Sequence, residues 1–162
     1  MADAAEIKID ATEWERLLKR VRKKWDDIES RKTFGTVIAP VVVADIIRHF
    51  EQEKGPDGRW APWSKSYSEF LQEIGRSGNK ILQFSGRLRQ SIMLQNHRAA
   101  KDGILFYNNA KVKGTGFPYA YAHDNDTEPR SRLPQRKFMW LSDEGMEKLI
   151  GVTEGWLADE RD

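Results

Sequence analysis

Trp14, Leu17, Leu18, Val21, Trp25 and Ile28 recur at steps of three and four residues, the spacing that lines one face of an α-helix. The pattern predicts an amphipathic helix of roughly five turns. Asp10 and Thr12 are its candidate N-caps, with Glu13 and Glu15 in the first turn. The other face carries Arg16, Lys19, Arg20, Arg22, Lys23 and Lys24, which reads as a solvated face or as a stripe turned to DNA or a partner. Residues 1–9 read as a flexible tail or an edge segment. A break from Thr33 to Thr36, around Gly35, precedes a second helix with Pro40 in its first turn and Val43, Ile46, Ile47 and Phe50 on its buried face. Gly55-Pro56-Asp57-Gly58 ends that helix and turns the chain.

Beyond Arg59 the elements shorten. Trp60 and Trp63 flank Pro62 in an extended segment, and Ser66 caps a brief helix through Phe70, Leu71 and Ile74. Gly75 to Asn79 is a loop, and a Ser85-Gly86 break leads into a turn of helix before Ile92. Ile92-Met93-Leu94 and Ile104-Leu105-Phe106-Tyr107 read as two strands joined near Lys101-Asp102-Gly103. Asn108 to Phe117 is a loop, and Tyr119 to His123 reads as a strand or a short helix. Asp124 to Ser131 is polar and loop-like, and Lys137 to Leu141 returns as a strand. Ser142 caps a last helix, with Asp143 and Glu144 where the helix dipole favours negative charge and Met146, Leu149, Ile150 and Trp156 on its apolar face. Helices around a small antiparallel sheet give an α+β class, with N-terminal, middle and C-terminal helices packed on the sheet in a single domain, 1–162.

Composition narrows the function classes. Of 162 residues, 39% are hydrophobic and 32% charged, as in a folded soluble domain. The net charge of +2 falls well short of a protein that coats nucleic acid. With no cysteine, disulfides, thiolate nucleophiles and Cys-based zinc sites are excluded. The longest apolar run, Val41 to Ala44, is too short to span a bilayer. The opening Met-Ala-Asp-Ala-Ala-Glu lacks the blocks of a signal peptide, so no membrane partner and a cytosolic location are expected.

Candidate chemistry is sparse. His49, His97 and His123 have no metal-type spacing partner, and His49 beside the second helix's buried face reads as a structural or interfacial histidine. His123-Asp124-Asn125-Asp126 begins like a calcium loop but lacks its Gly and distal Glu. Ser85-Gly86 lacks a nucleophile elbow, and Gly114-Thr115-Gly116 lacks a P-loop lysine. No catalytic residue, metal site or cofactor is expected. Arg130, Arg132, Arg136 and Lys137 form a basic cluster that either contacts phosphate or pairs with acids of a neighbouring subunit. Six tryptophans is a high count, and Trp60 and Trp63 in a turn-rich segment can anchor a subunit contact or lid the core.

Four segments, taken in order, carry a family resemblance. They are Asp57-Gly58-Arg59-Trp60-Ala61-Pro62 after the helix ending near Phe50; Leu82, Ser85, Gly86, Leu88, Ser91 and Ile92; Tyr121-Ala122-His123; and Pro134-Gln135-Arg136-Lys137-Phe138-Met139-Trp140-Leu141-Ser142. Together they resemble the virion morphogenesis (tail completion) family of tailed bacteriophages, from the second helix to the last. Two features depart from that pattern. His123-Asp124-Asn125-Asp126 stands where the family has a His-Gln-Phe-Gly type turn, and the first helix, with Trp14 and Trp25, matches no family element.

The resemblance implies a non-enzymatic structural protein of the phage neck or tail end. Such a protein forms a ring that completes the tail or joins it to the head and lets DNA pass. A hexameric ring is expected, with a dodecamer as the alternative. Its partners are neck, connector or tail-tube proteins, with transient DNA contact in the lumen. Ring closure needs two complementary surfaces per subunit. Trp60, Trp63, Tyr119, Tyr121 and His123 are the candidate subunit-interface residues. Arg130, Arg132, Arg136 and Lys137 are the candidate lumen or inter-subunit cations. The loops Gly75–Asn79 and Lys111–Phe117 are expected to order on docking. Assembly is expected in the host cytoplasm, and residence afterwards in the virion. The competing reading is a small DNA-binding protein using the basic face of the first helix and the Arg130–Lys137 cluster. A hydrolase built on His123 with Asp124 or Asp126 lacks both a nucleophile and a metal set.

Overall fold

The computed structural model describes residues 19, 21–101, 103–108, 110–117, 119–124 and 134–158. Most of the first predicted helix lies outside them, as do residues 1–9, Arg130 and Arg132. Residues 21–26 are helical (α1). Then follow α2 (Ile28–Gln52), β1 (Lys54–Gly55), β2 (Gly58–Arg59), α3 (Lys65–Glu73), α4 (Arg87–Gln90), β3 (His97–Ala99), β4 (Ile104–Phe106), α5 (Tyr119–Asp124) and α6 (Asp143–Ala158). Among the described residues the strands form two antiparallel two-stranded hairpins, β1–β2 and β3–β4, so the fold is α+β.

The centre is α2, which packs on α6, on the β3–β4 hairpin and on β1. Asp27 caps it, accepting from Ser30 N at 2.6 Å, and Glu53 closes it in the left-handed conformation with φ 52°. The predicted break around Gly35 is absent; α2 is continuous, and the boundary between the first two helices falls at Asp27 instead. Gly35 has a packing reason. A Cβ there would lie 2.6 Å from His97 Cδ2, so glycine lets β3 approach the helix. Pro40 accordingly sits inside α2, on an exposed position, and not in a first turn. By length and composition α2 could cross a membrane, yet half of its apolar window is buried in this fold, as befits a core helix.

Phe50 and Phe138, both 0% exposed, meet at 5.3 Å between ring centroids, and Trp60 packs edge-on to Phe50 at 5.4 Å. Val42, Val43, Ile46, Leu82, Leu88 and Ile92 complete this core. Side chains of such size each contribute roughly 1.5–3 kcal/mol when fully buried.

Three further expectations shift. The cap of α3 is Ser64, which accepts from Tyr67 N at 3.3 Å, and not Ser66. The first strand of the β3–β4 hairpin begins at His97, and Ile92-Met93-Leu94 is not extended pairing. Ile92 is buried while both Met93 and Leu94 are exposed, and Asn96 ties a turn there by donating to Ser91 O at 2.7 Å and Met93 O at 3.0 Å. Lys137–Leu141 is not a strand: it bends at Met139, and among the described residues its backbone is held by a side chain, Asp124, and not by a pairing strand. Tyr119–Asp124 resolves to a helix, the second of its two sequence readings.

Candidate functional site

Two buried charged residues organise the molecule around α2 and the 134–142 segment. Asp45, 2% exposed, takes Ser142 N at 2.7 Å on Oδ2 and the Ser142 hydroxyl at 2.6 Å on Oδ1. Ser142 Oγ in turn accepts from Gly145 N at 3.0 Å, capping α6 as its sequence position predicts. A Cβ on Gly145 would lie 2.5 Å from Asp45 Oδ2, so glycine allows α6 to seat on α2. Arg48 lies 3.8 Å from Asp45 Oδ1 and also pairs with Glu144 on α6.

His49 belongs to the same layer. Its Nδ1 bonds Phe138 O at 3.0 Å and its ring stacks on Trp140 at 4.2 Å. Nε2 lies 3.5 Å from Asp45 Oδ2 without forming a hydrogen bond, so that contact becomes an ion pair only if the ring is protonated. Burial pushes the His49 pKa below its ordinary value, outweighing the Phe138 carbonyl and the Asp45 charge that pull it up.

The second charge is Arg136, 3% exposed. Its Nε donates to Ala61 O at 2.9 Å and its Nη2 to Pro62 O at 3.1 Å, while the guanidinium lies 5.0 Å from the centre of the Trp63 ring. The Trp-Ala-Pro-Trp turn is therefore folded onto an arginine. Trp60 faces the other way, into the core, and its Nε1 donates to Lys137 O at 3.0 Å. Asp124 holds the same segment from the end of α5, its Oδ1 accepting from Phe138 N and Met139 N, each at 2.8 Å. That carboxylate is a backbone clamp. Among the described residues, no group of His, Asp and Glu is arranged to hold a metal ion.

Beside Arg136 opens a cavity of about 390 Å³ between α3, α4 and α5. Trp63, Tyr67, Phe84, Tyr119 and His123 supply aromatic walls. The His123 pKa is lowered to about 4 by burial and by the Arg136 charge, so the ring is neutral at pH 7. The buried Nδ1 of His123 has no hydrogen-bond partner among the described residues. Burial likewise lowers the Arg136 pKa from its ordinary value, against a smaller opposing influence of Tyr67.

The structure thus gathers three of the five aromatic and histidine candidates, Trp63, Tyr119 and His123, around one cavity. Tyr121 is exposed on the outer side of α5, and Trp60 is internal. Of the four basic candidates, Arg136 is internal, Lys137 is exposed, and Arg130 and Arg132 lie outside the described residues. Lys19, and Arg22 and Lys23 on α1, are exposed, whereas Lys24 donates to Trp156 O at 3.0 Å and lies over that ring. Sequence reasoning missed Asp45 and Tyr67. The one legible signal for Asp45 was an acid at position 45 inside the apolar face Val43, Ile46, Ile47.

No curated protein and no solved structure matches the chain. The model of the phage virion morphogenesis family matches residues 9–158, which extends the likeness through the first helix that the sequence motifs left unplaced. A match over nearly the whole chain places this protein in the phage virion morphogenesis family, as a virion-associated assembly component.

Proposed function

We propose that this protein is a non-enzymatic ring subunit of the phage neck or tail end, which completes the tail or joins it to the head and leaves a passage for DNA. The observation that carries the reading is the family match over residues 9–158. A hexamer is the first expectation and a dodecamer the second. Assembly takes place in the host cytoplasm against neck, connector or tail-tube proteins, and the finished ring contacts DNA only transiently. The modest net charge of +2 suits a lumen that passes DNA without holding it.

Two surfaces of different character support heterologous contacts. One is the cavity walled by Trp63, Tyr119 and His123. The other is the outer face of α6, where Met146 and Ile150 are exposed. The loops Gly75–Asn79 and Lys111–Phe117 are proposed to order on docking; exposed Val112 and Phe117 give the second of them apolar contact area. A DNA-binding role would draw on the Arg130–Lys137 cluster, yet the Arg136 guanidinium is buried against Ala61 and Pro62. Light scattering across a concentration series tests the proposal. A stable mass of six or twelve subunits is expected; a monomer throughout, with salt-sensitive DNA binding, would overturn it.

A further inference from the structure

Arg136 is a buried cation without a counter-charge among the described residues. Among the described residues, no carboxylate lies within 4 Å of it, and only carbonyl oxygens meet its Nε and Nη2. An arginine carries five N–H donors, and Nη1 here has no hydrogen-bond partner among the described residues. Removing a charge from water is costly unless it is paired, and neutral carbonyls compensate only in part. The guanidinium also lines a cavity of about 390 Å³, large enough for a side chain of aromatic size.

The surroundings specify the shape of what would complete it. Trp63, Tyr67, Phe84 and Tyr119 offer ring faces and edges, and the buried Nδ1 of His123 has a hydrogen bond left to make. Phe84 in turn carries an exposed cation outside the lining: Arg76 lies 4.7 Å from its ring centre and donates to Phe84 O at 2.9 Å. A cation in the lining, Arg136, beside aromatic walls is complementary to an anion attached to an apolar group. Arg136 is 3% exposed and is met only from within the cavity, which a rigid duplex backbone does not enter. A carboxylate borne on a protein segment can reach it, and pairs with arginine in a planar fork.

We propose that this cavity receives a segment of a neighbouring virion protein that presents a carboxylate beside an aromatic or large aliphatic side chain, with the carboxylate seated on Arg136. That the neighbour is a virion protein rests on the assembly reading above; the carboxylate chemistry rests on the cavity itself.

The probe is 3-phenylpropionate, with 3-phenylpropionamide as its neutral twin, titrated into the full-length protein and followed by the NMR signals of the Trp63 indole and Arg136 Nε. The acid is expected to shift both signals and to bind at least about tenfold more tightly than the amide, as a charge-assisted bond requires. Phe84 is an exposed rim residue, so Phe84→Glu adds a negative charge without disturbing the arginine's structural bonds. Both Phe84→Glu and Phe84→Gln remove a ring from the cavity wall and should weaken the amide alike; only Phe84→Glu should weaken the acid at least about tenfold more than it weakens the amide. Equal binding of acid and amide, or shifts away from Trp63 and Arg136, would overturn the proposal. Thymidine 5′-monophosphate binding more tightly than the acid would overturn it in favour of a nucleic-acid end. Dissociation of a homo-oligomer by the acid would assign the cavity to a second copy and overturn the partner. These outcomes are independent of the solution mass, so the cavity and the ring can fail separately.

Discussion

Asp45 and Arg136 are equally buried, at 2% and 3% exposure, yet their surroundings differ. Asp45 accepts from Ser142 N and Oγ and has Arg48 within ion-pair reach. Arg136 meets two carbonyls and an open cavity. Burial alone therefore does not tell how far a charge is compensated. The distinction lies in whether the charge is compensated inside the chain. Asp45 joins α2 to the start of α6, and its removal strands donors in the interior. Arg136 folds the Ala61-Pro62 turn and keeps donor capacity in reserve.

The comparison can be broken at several points. The largest effect is expected at Asp45→Ala, which leaves the Ser142 N–H and O–H donors without their acceptor and should cost about 3–5 kcal/mol in urea unfolding. A loss below 1 kcal/mol would show that the α2–α6 junction does not depend on this carboxylate.

Acid sharpens the cavity side. The folded pKa of His123 is lowered to about 4 from 6.5, so between those values the unfolded chain binds the extra proton. Stability is complete above about pH 6.5 and falls as pH drops through the window, flattening near 4, by about 3 kcal/mol at most. His49 is lowered too and adds the same sign. Melting temperatures measured from pH 7 to 4 should fall less steeply in His123→Phe; an unchanged slope would remove His123 from the account.

Gly145→Ala should cost about 1–3 kcal/mol by driving a methyl against the Asp45 carboxylate. Thermal melts should place it below its neighbour Asp45→Ala in effect. The smallest effect belongs to Lys137→Gln. Its side chain is exposed and its structural contribution is the backbone carbonyl that Trp60 Nε1 uses, so stability should stay within about 0.5 kcal/mol. A larger loss would mean that adjacent basic positions 136 and 137 do not divide their roles as the fold indicates.

Local signals were legible where chemistry and periodicity agreed. Ser142 caps α6, Phe50 faces the core, and the Gly55–Gly58 turn ends α2. Signals that depend on distant contacts were not. Gly35 resembled a helix break because its reason is His97, a residue brought in by another element. Ser142 resembled a simple cap because Asp45 lies 97 residues earlier in the chain. Arg136 resembled a surface cation in a basic cluster, since nothing local says that the Ala61 and Pro62 carbonyls will enclose it. The aromatic candidates fared differently among themselves. Trp60 and Trp63 share one motif, but the turn between them sends the first into the core and the second to the cavity.

The proposed ring would be built into the phage particle in a fixed number of copies. Quantitative mass spectrometry of purified virions counts its copies directly. Six per particle is the predicted result, with twelve for the larger ring; particles that contain none of this chain would contradict the account.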